Sequence, residues 1–147
     1  MEKLQFDSGV KEYRINGGGV LRFNPGDPNL YARFLEAADK LQQIEQDLAQ
    51  KAQLLEGADT GTAAVKLMAE ADQQMKQLLS WVFGQHNDFD KALGGVNLLA
   101  VAGNGERVVT NLLQALQPVL VAGAETYAAQ ACEDAVKKAQ QRRASQQ

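Results

Sequence analysis

The sequence predicts a mainly α protein of the α+β class: a long antiparallel α-hairpin and C-terminal helices, with a small N-terminal β-hairpin. Three observations carry that prediction. Apolar residues recur at spacings of three and four from Leu30 to Leu55 and again from Ala64 to Val82, the period of a helix face. A glycine-rich turn, Asn16-Gly17-Gly18-Gly19, separates two short runs of extended character. The 147 residues are 45% hydrophobic and 22% charged, close to the globular average, and so read as a single domain over 1–147.

The hairpin belongs to a region spanning residues 1–24. Lys11-Glu12-Tyr13-Arg14-Ile15 alternates polar and apolar, and Val20-Leu21-Arg22-Phe23 resumes after glycines that take positive φ at little cost. Tyr13, Ile15, Leu21 and Phe23 are expected on one face. Two strands alone are marginal in water, so that face must pack on a helix or pair with another chain. These four residues are candidates for packing or self-association.

The α-hairpin is expected over 27–83. Asp27 suits an N-cap and Pro28 the first helical position, and no Gly or Pro follows before Gly57. Phe34, Leu41, Leu48 and Leu55 recur every seven residues, with Leu30, Ala37 and Ile44 between them and Lys51 interrupting the seam. A helix from 28 to 56 would run about 43 Å. Gly57 suits a C′ position, and Asp59, Thr60 or Thr62 can cap a second helix over about 62–83. Its seam is Ala64, Met68, Ala71, Met75, Leu78 and Val82. Trp81 and Phe83, at its end, are expected to plug the core, with a partner-binding anchor as the alternative.

A short helix and C-terminal helices fill 88–143. Asp88 caps residues 89–93, stopped by Gly94-Gly95; Val96 to Ala102 reads as apolar and buried, and Gly103-Asn104-Gly105 as a turn. Residues 106–117 present Val109, Leu112, Leu113 and Leu116 on one side. Leu112, Leu113 and Leu116 are candidates for partner contact. Pro118 kinks this helix or starts another, which runs through Tyr127, Ala128, Ala131 and Ala135 to about Arg143. Cys132 reads as a small buried hydrophobe. Gln140, Gln141, Gln146 and Gln147 are expected to fray.

Little in the chain offers chemistry. One Cys and one His leave no disulfide, no Cys/His zinc site and no paired imidazoles, and no catalytic, cofactor or metal residue is assigned. Gly17-Gly18-Gly19 lacks the lysine and Ser/Thr of a phosphate loop and the helix that should follow it. Asp88 and Asp90 lack the further ligands of a calcium loop, and His86 has no nucleophile or second base beside it. The net charge of −3 gives no nucleic-acid footprint. Lys137, Lys138, Arg142 and Arg143 offset the dipole of a helix C-terminus. Met1 to Asp7 is no signal peptide, and the longest apolar run, around Val119–Ala122, is too short to span a bilayer. The expectation is a cytoplasmic, non-enzymatic protein that binds neither nucleic acid nor membrane.

Three stretches taken in order resemble the tail assembly chaperones encoded in the tail modules of long-tailed phages and prophages of Gram-positive bacteria. The first runs from Leu4 to Gly17 and on through Leu21-Arg22-Phe23-Asn24-Pro25 to Asp27-Pro28-Asn29. The second is Val82-Phe83-Gly84, then, after an insertion-like segment from Gln85 to Gly94, Gly95-Val96-Asn97-Leu98-Leu99. The third is Thr110-Asn111-Leu112-Leu113-Gln114-Ala115-Leu116-Gln117-Pro118. The resemblance implies a chaperone that coats the helical tape-measure protein, helps recruit the tail-tube protein, self-associates, works in the host cytoplasm and is absent from the mature virion. Two other readings stand beside it. One is a structural tail component retained in the virion. The other is a secreted helical-hairpin protein, although Trp81-Val82-Phe83-Gly84 departs from the Trp-x-Gly turn of that class.

Overall fold

The computed structural model describes residues 1–57 and 59–145, and the mainly helical architecture with a two-stranded hairpin is the one the sequence predicts. Strands β1 (Lys11–Arg14) and β2 (Val20–Phe23) pair antiparallel with Tyr13 opposite Leu21. The reversal needs Asn16 and Gly17 at φ 50 and 73, closed by the Ile15 amide donating to the Gly19 carbonyl at 2.7 Å. Tyr13 stacks on Phe23 with ring centroids 4.6 Å apart. Phe83 meets Phe23 edge-on at 4.9 Å and leans on Phe89 at 5.6 Å, so the hairpin is docked through aromatic rings.

Helix α1 (Pro28–Gln53) opens as expected, with Asp27 Oδ1 accepting from the Asn29 amide at 2.9 Å. It ends three residues early. Leu54 and Leu55 bond back three residues to Lys51 and Ala52, tightening the last turn, so Leu55 leaves the seam and Gly57 follows at φ 102. Ala58 lies outside the described residues. Helix α2 (Thr60–Phe83) packs antiparallel on α1 through Leu30, Ala37 and Leu41 against Ala71, Met75 and Val82. Thr60 donates its hydroxyl to the Gly57 carbonyl at 2.6 Å, whereas Asp59 makes no side-chain cap. Leu79 is fully buried while Leu78 is only half-buried, because α2 is covered on a second side by α3 and the loop after it. Phe83 enters the core. Trp81 stays at the surface, its ring beneath the Lys40 ammonium at 4.8 Å.

Helix α3 (Phe89–Ala92) is capped by Asp88, whose carboxylate accepts from the Lys91 amide at 3.1 Å. A Cβ on Gly19 would overlap the Ala92 backbone, so only glycine lets the hairpin turn lie so close to α3. Of the segment expected to be buried, Leu98 and Leu99 are, but Val96 and Val101 are exposed. The segment loops back on itself: Ala102 N–H donates to Glu106 O, and Val108 and Val109 donate to Ala100 and Leu98. Those bonds satisfy the first amides of α4, which would otherwise lack partners.

At Pro118 the sequence leaves open a kink or a new helix, and the structure has one helix, α4 (Val108–Ser145), of 38 residues with Pro118 inside it. Pro118 is exposed, so its ring and lost N–H fall on the solvent side. Gly123 lets α4 cross directly over the Pro25–Gly26 backbone. Beyond that crossing every residue from Glu125 to Ala144 is exposed, a free length of roughly 30 Å. Cys132, expected in the core, is exposed because its whole stretch of helix leaves the body. Gln140 and Gln141 are helical; Gln146 and Gln147 lie outside the described residues.

Candidate docking groove and helix seam

The outer strand of the hairpin and the first turns of α4 enclose a groove of about 610 Å³. Tyr13 and Ile15 form one wall, Val108, Leu112, Leu116 and Val119 the other, and Leu93 and Val96 close one end. Arg14, Asn16 and Asn111 are among its few polar groups. Burial in this wall pushes the Tyr13 phenol above its ordinary pKa. Tyr13, Ile15, Leu112 and Leu116 are thus brought together in one place. Leu113 lies half-buried against the core and does not line the groove. Leu21 and Phe23 are 0% and 3% exposed, so they pack the core and offer nothing to a partner.

The sheet beside the groove is closed on one side and open on the other. Ile15 and Tyr13 face β2 with their backbone groups, which turns those of Glu12 and Arg14 outward from β1. On the opposite edge Asn87 takes the place of a third strand. Its Oδ1 accepts from the Arg22 amide at 2.8 Å, and its Nδ2 donates to the Arg22 carbonyl at 2.9 Å and to the Phe83 carbonyl at 2.9 Å. His86 Nε2 lies 3.1 Å from the same Arg22 carbonyl, and Ser80 donates to the Asn87 carbonyl at 2.8 Å.

A buried ion cluster sets the far end of the groove. Lys76 Nζ donates to Asp72 Oδ2 at 2.9 Å, Asp90 Oδ1 at 2.6 Å and the Val96 carbonyl at 2.8 Å. Asp72 Oδ1 accepts from the Leu98 amide at 2.7 Å, and Asn97 donates to the Met68 carbonyl at 3.2 Å. Burial alone would lower the Lys76 pKa, but hydrogen bonds and charge from Asp90 and Asp72 outweigh it and hold it above the ordinary value. The cluster ties α2, α3 and the 96–98 loop together and so places Val96 and Leu93. Asp90 is therefore a partner of Lys76 and Asp88 a helix cap. Among the described residues no group of three or more His, Cys, Asp or Glu is placed to hold a metal.

The sequence reading passed over this cluster. The i,i+4 pair Asp72–Lys76, flanking Ala71 and Met75 on a buried seam, was the available signal. It also passed over a feature of α4. Val121, Ala124, Ala128, Cys132, Ala135 and Ala139 are spaced by three and four, from the crossing at Gly123 out along the free length, a heptad-like apolar seam of mostly small residues. That seam lies about a third of a turn round from the face that Leu112, Leu116 and Leu120 press into the body. Hence the amphipathic pattern changes face near Pro118.

No protein family model, curated protein or solved structure matches the chain. No helix among the described residues is long and apolar enough to cross a membrane.

Proposed function

We propose that the protein is a tail assembly chaperone of a long-tailed phage, which binds the tape-measure protein during tail morphogenesis and catalyses no reaction. The reading places it in the host cytoplasm and leaves it out of the finished virion, with the tail-tube protein as a further partner. The observation that carries it is the uncovered apolar seam on the free end of α4, joined to the three stretches that resemble such chaperones. A tape-measure protein is a long helix with apolar stripes. A seam of alanines lets a second helix approach closely, the geometry of helix-in-groove and coiled-coil packing. Lys137, Lys138, Arg142 and Arg143, around and beyond the end of the seam, add charge that favours solubility of the unliganded helix.

Co-expression with the tape-measure protein of the same tail module tests this. The expected result is a soluble, co-eluting complex, weakened about tenfold or more when Ala128→Glu and Ala135→Glu place charge in the seam. Both positions are exposed, so the fold is expected to survive. A tape-measure protein that is soluble alone, or that never co-elutes, overturns the reading. Retention in the virion is the rival, and mass spectrometry of purified particles separates the two.

A further inference from the structure

We propose that the groove beside β1 is filled by residues 3–7 of a second copy of this chain, added as a third strand along the open edge of β1. The first ten residues form neither helix nor strand and lie exposed at the surface, with Leu4 90% and Phe6 79% exposed. Leu4 and Phe6 are two apart, so in a strand both side chains fall on one face, as Lys11 and Tyr13 do in β1. A strand laid along the outward groups of Glu12 and Arg14 would carry that pair over Leu112, Leu116 and Val119, extending the face begun by Phe23 and Tyr13.

Charge favours the same occupant. Glu2 and Asp7 bracket the apolar pair, with Lys3 the one cation between them, and Lys11 and Arg14 stand on the receiving strand, whose Glu12 is already paired with Arg22 at 2.9 Å. The chain's own leading segment is directed elsewhere. Asn24 Nδ2 donates to the Ser8 carbonyl at 3.1 Å, Asp7 Oδ1 accepts from the Gly9 amide at 2.8 Å, and Gly9 sits at φ 76. These contacts anchor the segment beside the end of β2, away from the Tyr13–Asn16 end of β1 where the groove opens. The donor of Leu4 and Phe6 is therefore a neighbour.

This inference does not depend on the identity of the client, and its test needs no tape-measure protein. The full chain is run by size exclusion with light scattering over a range of concentrations, beside the Leu4→Asp/Phe6→Asp variant. The wild type is expected to form species above the 15.9 kDa monomer that grow with concentration. The variant, altered only at exposed positions, is expected to associate roughly 100-fold more weakly. A wild type that stays monomeric, or a variant that associates equally through the α4 seam, overturns the proposal. A second measurement fixes the geometry. In a Cys132→Ser background, Phe6→Cys and Leu112→Cys chains are mixed and oxidised. A disulfide-linked heterodimer formed only in the mixture supports exchange between chains, and its absence overturns it.

Discussion

Lys76 is the side chain on which the end of the groove depends. It is 5% exposed, and its three acceptors come from α2, α3 and the loop that follows α3. Lys76→Met leaves the buried Asp72 carboxylate without its cation, and a loss of about 3 kcal/mol in urea unfolding is expected. Asp90→Asn, whose side chain is mostly in solvent, is expected to cost no more than about 1 kcal/mol. Because the folded pKa of Lys76 is raised, its contribution is complete below the pKa of an unfolded lysine, about 10.4, and is lost as pH climbs through the folded value. Wild-type stability should therefore fall above about pH 10.4 more steeply than that of Lys76→Met, which lacks the group. Equal slopes would show that the cluster contributes nothing to the alkaline limb. Periodicity reports which residues are apolar and how far apart they stand. Lys76 closes on Asp90 and Val96, 14 and 20 residues away, and no local pattern encodes that meeting.

At the level of elements, the legible parts were those whose signal is local. The Asn16–Gly19 turn, the Asp27 and Asp88 caps and the α-hairpin seam each follow from residues within a few positions of one another. What was illegible needed tertiary context. Pro118 is a breaker by propensity, yet α4 continues through it because the face it disturbs is the solvent face. Cys132 looked like a core residue by its alanine neighbours, and nothing in those neighbours says that the body has already ended at Gly123. Two predictions belong here. Pro118→Ala restores a helical N–H and should stabilise the protein by about 1–3 kcal/mol in urea unfolding; destabilisation would mean that the proline sets a bend the packing requires. Deleting residues 125–147 should leave the melting temperature within a few degrees, measured by calorimetry, because every residue from Glu125 to Ala144 is exposed. A large drop would show that α4 is braced along its whole length.

Viewed as one molecule, the protein divides its labour along α4. The first half of that helix closes the core with Val109, Leu116 and Leu120 and forms a wall of the groove; the second half presents a separate seam. Groove and seam are thus different surfaces, so a charge placed in one need not disturb the other. The hairpin also has sidedness. Asn87 already satisfies the Arg22 amide and carbonyl with its own amide group, which leaves that margin of the sheet unable to accept another chain. With one socket and one plug per copy, the proposed exchange would enlarge without branches and with a direction, into an open filament with a head and a tail or, where the rotation closes, a ring.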